Sequence, residues 1–300
     1  MSTKGRDDDV TTTSVTPVGV PPLRGGATAG DACLVVIYGP DLGRRIPLER
    51  TTFSIGRSSR SDLILEQDSV SRNHARIART HGAWVLSDLG STNGTYVNDV
   101  AVTERDLRDG DRIKIGRTIL KFMTGANVEA AYHEEIYRLM TVDGLTQIFN
   151  KRYFHEAIER EVNRAVRYKR KLSLMLFDLD HFKRKNDEYG HVAGDAILRH
   201  VAQTLVHKLR REDVFARVGG EEFAVLLPEI DAEGALQAGE KVRRVVEETP
   251  CVFDGVAIPC SVSVGVATLA SPVNTAQLLY ERADAALYRA KGEGRNRVRG

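Results

Sequence analysis

Arg217-Val218-Gly219-Gly220-Glu221-Glu222-Phe223-Ala224-Val225-Leu226-Leu227-Pro228 is the stretch that decides the fold of the second half of the chain. Val214 to Val218 is short, apolar and rich in β-branched residues, and Phe223 to Leu227 has the same character up to Pro228. Two such runs around a pair of glycines predict a β-hairpin, here with an acidic tip. The glycines let the backbone take positive φ and let a ligand come close. Adjacent carboxylates repel one another, which gains a purely structural turn nothing. On this stretch alone a solvated Glu-Glu turn and a site for a divalent cation with phosphate both stand.

Three hundred residues predict two domains plus connectors. A net charge of +2 provides no global field toward nucleic acid or membrane. Three cysteines, Cys33, Cys251 and Cys260, are too few for a disulfide framework and lack metal-ligand spacing, so they are expected as small core residues in a reducing compartment. No apolar run approaches a membrane span and the N-terminus has no apolar signal region. The expectation is a soluble, cytoplasmic, bacterial protein without nucleic-acid or membrane partners.

Residues 1 to 30 are polar, rich in Thr, Pro and Gly, and expected to be a disordered tail. They carry a threonine cluster, Thr11-Thr12-Thr13, behind Asp7-Asp8-Asp9. From 31 to 124 the pattern is all-β: Ala32 to Tyr38, Arg44 to Leu48, Thr52 to Ile55, His74 to Arg79, Ala83 to Leu86, Thr95 to Val97, Arg112 to Ile115 and Ile119 to Met123. Many short strands between Gly39-Pro40, His81-Gly82 and Asp109-Gly110 turns predict a sandwich. Its loops carry Ile55-Gly56-Arg57, then Ser69-Val70-Ser71-Arg72-Asn73-His74, then Asp88-Leu89-Gly90-Ser91-Thr92-Asn93-Gly94. Guanidinium forks and hydroxyl donors suit phosphate oxygens. The three segments in this order resemble a forkhead-associated (FHA) domain. That resemblance implies phosphothreonine-peptide binding, with Arg57, Ser71 and Arg72 on the phosphate, Ser91, Thr92 and Asn93 on phosphate and peptide backbone, His74 bracing the loops and Trp84 in the core. The chain's own N-terminal threonines are candidate ligands.

Residues 125 to 143 show helical spacing at Val128, Ala131, Tyr132, Ile136, Leu139 and Met140, and predict a helical linker. From 144 to 300 helices alternate with strands: helix Lys151 to Lys169, strand Leu172 to Phe177, helix Val192 to Arg210, the acidic hairpin, helix Asp231 to Glu248, a turn on Asp254-Gly255 into Ile258 to Thr268, helix Thr275 to Lys291 and an edge strand at Arg297-Val298. This is an α+β domain with helices around a mainly antiparallel sheet. Asp178 follows a buried strand, where a carboxylate is costly unless it pairs or binds metal. Facing Glu221, it would make a hard-cation site suited to Mg²⁺ and nucleotide phosphates, as in palm and nucleotidyl-cyclase-like domains.

Five ordered motifs resemble the GGDEF diguanylate cyclase family: Asp143-Gly144-Leu145-Thr146 with Asn150, Phe177 to Asp195, Gly219-Gly220-Glu221-Glu222-Phe223, Ala286 to Lys291, and Gly294-Arg295-Asn296. The resemblance implies that Asp178 and Glu221 bind Mg²⁺ (or Mn²⁺) by side chain and Leu179 by its carbonyl. It implies that Asn186 and Asp195 hold guanine with His191 beside the substrate, and that Phe182, Lys183, Lys291 and Arg295 hold the triphosphate. Glu221 or Glu222 is the candidate base. It further implies GTP as substrate, cyclic di-GMP as product, a catalytic homodimer, and product inhibition through Arg210 and Asp213, with Arg243 or Arg244 as the candidate second arginine. A non-catalytic receptor for cyclic di-GMP and phosphopeptides, and a cyclase making a mixed cyclic dinucleotide, are the alternatives.

Overall fold

The computed structural model describes residues 32–124, 128–270 and 274–300. The expected tail over residues 1 to 30, including Thr11, Thr12 and Thr13, lies outside them. The chain divides into two compact units, with the division between Leu139 and Met140.

The first unit is built from β1 (Ala32–Tyr38), β2 (Arg45–Pro47), β3 (Thr52–Gly56), β4 (Leu63–Ile64), β5 (Ala75–Thr80), β6 (Ala83–Asp88), β7 (Thr95–Val97), β8 (Val100–Val102), β9 (Glu104–Leu107), β10 (Arg112–Ile115) and β11 (Thr118–Thr124). They form a six-stranded sheet in the order β2-β1-β11-β10-β7-β8 and a five-stranded sheet in the order β4-β3-β5-β6-β9. Leu34, Val36, Phe53, Ile55, Ile77, Leu86, Ile113 and Phe122 form the core between the sheets, and Trp84 joins them. Strands β4, β8 and β9 go beyond the sequence expectation. They are two to four residues long, and β9 reads Glu-Arg-Asp-Leu, with no alternation to mark it. The β7–β8 hairpin turns on Asn98 and Asp99, both at positive φ (51° and 68°), the conformation a two-residue hairpin loop requires.

Helix α1 (Val128–Thr141) lies in sequence between the two sets of strands. After it come α2 (Lys151–Tyr168), β12 (Leu172–Leu179), α3 (Phe182–Tyr189), α4 (His191–Val206), β13 (Val214–Arg217), β14 (Glu222–Pro228), α5 (Ala232–Glu248), β15 (Cys251–Phe253), β16 (Val256–Ile258), β17 (Val262–Thr268), α6 (Ala276–Gly292) and β18 (Val298–Arg299). The main sheet runs β13-β14-β12-β17-β18 and is antiparallel except where β18 joins β17. Side chains alternate across a strand, so β12 feeds two cores. Met175, Phe177 and Leu179 pack with α4 and α5, and Leu172, Leu174 and Leu176 pack with α2 and α6. Asp178 therefore belongs to the α6 face. Helix α6 lies close over β17 at Gly265, where a Cβ would overlap Ala283 O and Leu287 N.

Three elements differ from the sequence expectation. Helix α3 occupies what reads as a turn at His181-Phe182-Lys183; its sequence, Phe-Lys-Arg-Lys-Asn-Asp-Glu-Tyr, has no apolar periodicity, and only Phe182 is buried. Helix α4 stops at Val206, four residues early. The run from Ile258 to Thr268 is broken, because Pro259 cannot donate to a ladder, and Ile258 ends β16 while Val262 starts β17.

Candidate functional site

The acids of the Gly-Gly bend and the acid of β12 meet because β12 and β14 pair in register. Asp178 lies opposite Glu222, and Leu179 N donates to Glu221 O at 3.3 Å. Arg217 shapes the bend. Its Nε and Nη2 donate to Gly220 O at 3.0 and 2.7 Å, and its Nη1 is 3.2 Å from Asp143 Oδ1. The same Asp143 oxygen accepts from Thr146 N and Oγ1 at 2.8 and 2.7 Å. The Asp143-Gly144-Leu145-Thr146 motif is thus tied to the acidic bend. The sequence reading does not single out Arg217 as a site residue, although only Val218 separates it from the glycine pair. Burial raises Asp143 but the Thr146 and Arg217 bonds prevail, and its pKa lies below the usual range.

The two acids of the site behave in the opposite way. Burial pushes the Asp178 carboxyl up, even with Lys291 Nζ 2.9 Å from its Oδ2. Burial and the nearby Asp178 charge push Glu221 up as well. Such a pair has excess negative charge that one ammonium does not neutralise, which suits a further cation. Among the described residues no group of three or more His, Cys, Asp or Glu is arranged to hold a metal. Two carboxylates with the Leu179 carbonyl nevertheless fit Mg²⁺, which takes hard oxygen ligands and typically completes its shell with water and substrate phosphates.

The other expected residues fall into two groups. Phe182 and Lys183 open α3, with Phe182 buried and Lys183 exposed, and Arg295 follows α6 in a left-handed conformation at φ 62°. Asn186, His191 and Asp195 share the α3–α4 helical hairpin, which pivots on Gly190 at φ 86°. Asn186 is seated against Gly194, where a Cβ would overlap its Oδ1. That Oδ1 is buried and has no hydrogen-bond donor among the described residues. His191 and Asp195 are exposed.

Arg210 and Asp213 lie elsewhere. They precede Val214, which pairs with Leu226, whereas Arg217 at the other end of β13 pairs with Phe223 beside the acidic bend. Asp213 is 3% exposed; its Oδ2 accepts Arg210 N at 2.8 Å, and its Oδ1 accepts nothing among the described residues. Burial raises its pKa, opposed in part by Arg210 and Lys241. Lys241, whose Nζ donates to Lys208 O at 3.2 Å, is a cation near this corner that the sequence did not single out. Arg243 is committed to Glu240, Glu247 and Asn296, and Arg244 to Glu240.

The loops of the sandwich bring a second set together. Gly56 lies where a Cβ would overlap Arg72 O, so Arg57 and Ser58 can donate their backbone N–H groups to Ser71 O and Arg72 O at 3.0 and 3.1 Å. Ser71 Oγ accepts Thr92 N at 3.1 Å and lies 3.3 Å from Thr92 Oγ1. Asn93 Nδ2 donates to Ser69 O at 2.8 Å. His74, fully buried, accepts Ser71 N at Nδ1 and bonds Gly94 O through Nε2, bracing both loops. Ser91 Oγ donates to Asp88 at 2.6 Å. Arg57 Nε is buried and has no acceptor among the described residues, while its Nη1 is 3.5 Å from Asp68. Arg72 is exposed.

Residues 140–297 match the family model described as diguanylate cyclase, GGDEF domain, and residues 53–116 match the one described as FHA domain. Diguanylate cyclase A of Treponema denticola is 35% identical over 185 residues, 61% of this chain and 50% of that protein. Diguanylate cyclase DosC of Escherichia coli K12 is 31% identical over 275 residues, 89% of this chain and 56% of that one. The chain thus spans about half the length of these curated relatives. Among solved structures, the coiled coil and GGDEF domain of DgcB from Caulobacter crescentus, in complex with c-di-GMP, aligns with a TM-score of 0.54 at 32% identity. It covers 56% of this chain and 90% of that one.

Proposed function

Since the chain belongs to the family of diguanylate cyclases with a GGDEF domain, we propose that it condenses two GTP molecules into cyclic di-GMP and two pyrophosphates, under control of a phosphothreonine-binding FHA unit. The observation that carries the first part is the register of β12 on β14, which sets Asp178 against Glu222 and ties Leu179 to Glu221. Asp178 and Glu221 would hold Mg²⁺ or Mn²⁺ by their carboxylates and Leu179 by its carbonyl. Bound there, the ion supplies charge stabilisation at the α-phosphate and acidifies the attacking 3′-hydroxyl.

The chain's own groups carry the remaining work. Lys291, Arg295, Lys183 and the backbone at Phe182 bind the triphosphate, and the α3 N-terminus adds its dipole. Asn186 Oδ1, left without a donor, and the Asp195 carboxylate accept the N–H groups of guanine, with His191 at the pocket edge. Both acceptors favour guanine's donor edge, which selects GTP twice. Each 3′-oxygen attacks the α-phosphorus of the other GTP, its proton passing to Glu221 or Glu222 and the pyrophosphate leaving. One chain provides one such pocket, so ring closure needs a two-fold dimer of chains. Arg210, Asp213 and Lys241 form a second anion-binding corner at the far end of β13, where cyclic di-GMP would bind and inhibit. On the FHA unit Arg57, Ser71 and Arg72 take the phosphate and Ser91, Thr92 and Asn93 the adjoining peptide. Arg57 Nε, buried without an acceptor, supports that role. Among the described residues no helix is long and apolar enough to cross a membrane.

The test is GTP turnover against protein concentration, with Mg²⁺ or Mn²⁺, with and without a phosphothreonine peptide. Specific activity that rises with concentration and changes with peptide is the expected result. Absence of cyclic di-GMP from concentrated, dimeric protein would overturn the cyclase reading and leave a receptor. Unchanged rates together with no peptide binding would overturn FHA control.

A further inference from the structure

Asp180 is 2% exposed and stands two residues beyond Asp178, past the end of β12. Its Oδ1 accepts Ser263 Oγ at 2.6 Å, and its Oδ2 accepts Ser261 Oγ at 2.8 Å and Asn296 N at 3.0 Å. Its own N–H donates to Ser261 O at 2.9 Å. A buried carboxylate is expensive unless its lone pairs are filled. Here the donors come from two separate segments, the start of β17 and the bend after α6.

That bend is strained. Gly294, Arg295 and Asn296 follow one another at φ 112°, 62° and 45°. A left-handed conformation is unfavourable at a non-glycine residue, and such strain persists only where the surroundings over-determine it. The surroundings do so from both sides. Asn296 N is held by Asp180, its Oδ1 accepts Arg243 Nη1 at 2.9 Å, and its Nδ2 donates to Glu247 at 2.7 Å. Arg243 is fixed in turn by Glu240 through Nε and Nη2 at 3.0 and 2.9 Å, and by Glu247 at 2.7 Å. Arg295, next in the chain to this clamped asparagine, is exposed.

We propose that Asp180 is a positioning residue: with Asn296 and the Glu240–Arg243–Glu247 cluster of α5 it sets Arg295 against Asp178, so that phosphate-binding cation and metal-binding acid keep one fixed spacing. The Asp180 oxygens are occupied by Ser261, Ser263 and Asn296, so its part is to position and not to bind ligand. It acts through Arg295, with the ends of β12 and β17 as the fixed support. The inference rests on the cyclase reading for its ligand. Binding energy lost to a displaced guanidinium falls chiefly on substrate affinity, so the KM for GTP rises while kcat changes less.

The test is a double-mutant cycle on the full chain, read both by GTP turnover and by calorimetric binding of a non-hydrolysable GTP analogue with Mg²⁺. Asp180→Asn raises KM about tenfold with kcat within about threefold, and in an Arg295→Ala background it adds little further loss. Asn296→Gly keeps the backbone conformation and the N–H to Asp180, losing only the tie to α5; it raises KM a few-fold, again only when Arg295 is present. It carries the test if Asp180→Asn fails to fold. Equal effects of these substitutions with and without Arg295, or an unchanged KM, overturn the inference. A wild-type chain that binds the analogue without turnover overturns the cyclase reading alone, since the coupling is still read from binding. A chain that neither binds nor turns over GTP overturns both.

Discussion

Asp88 and Asp178 both lie at the end of a strand, one in each unit, and their surroundings treat them in opposite ways. Asp88 closes β6 and accepts from Ser91 N, Ser91 Oγ and Thr95 Oγ1 at 2.8, 2.6 and 2.6 Å. Burial alone would raise it, but those donors prevail and hold its pKa below the usual carboxylate range. Asp178 has one cation, Lys291, and faces Glu222, Asp180 and Glu221; burial dominates and its pKa goes up. The first acid is finished by its own chain and serves as a brace for the Ser91-Thr92-Asn93 loop. The second is left electrostatically incomplete, as expected where a ligand supplies the missing charge.

The two acids should separate most sharply under substitution. Asp178→Asn is expected to lower GTP turnover roughly 10³-fold or more, because a charge-stabilising ligand is lost from the transition state. Without divalent cations the same substitution is expected to raise the melting temperature of the catalytic unit by about a few degrees. Its folded pKa is raised, so its contribution to stability is present below the unfolded value and lost as pH rises through the folded one; at neutral pH the ionised carboxylate opposes folding. Loss of turnover together with a lower melting temperature in scanning calorimetry would show that Asp178 is a structural acid like Asp88.

Next in size is the proposed guanine pocket. Gly194→Ala places a methyl on Asn186 Oδ1, and the KM for GTP is expected to rise at least about tenfold, with kcat less affected. An unchanged KM in steady-state kinetics would remove Asn186 from the pocket. Asp88→Ala is expected to cost the first unit about 1–3 kcal/mol, from stranded Ser91 and Thr95 donors, measured by urea denaturation. It should also weaken phosphopeptide binding through the released loop. The smallest effect concerns pH. The Asp88 contribution is present above its unfolded value and is lost as pH falls through a folded pKa below the usual range, so the first unit should hold until strongly acid conditions. Cation-free stability of the catalytic unit should instead gain from acidification through the raised pKa values of Asp178 and Glu221. Parallel acid melts of the two units would break the contrast.

The sequence made the sandwich and the α+β sheet legible where β-branched, alternating or continuous apolar residues marked a strand. Thr95–Val97 and Arg112–Ile115 are strands with the expected ends, and Leu172 onward is a buried strand that runs two residues further, to Leu179. It did not reveal α3, because a polar octapeptide has no face to announce, nor β8 and β9, short edge strands that are largely exposed. Site chemistry was legible in the same uneven way. The acids of the Gly-Gly bend and Asp178 carry their chemistry in their residue types, whereas Arg217, Lys241 and Asp180 are ordinary charged residues until their partners are known.

Residue types and spacings alone therefore determined which carboxylates, cations and amides the protein possesses, and which short segments alternate enough to become strands. Whether an acid is raised or lowered, braced or left wanting a cation, was decided only by tertiary structure. Proton affinity depends on solvent exclusion and on the charges and donors that packing brings within a few ångströms, and for Asp178 all of those partners but Asp180 come from chain segments 43 to 113 residues away.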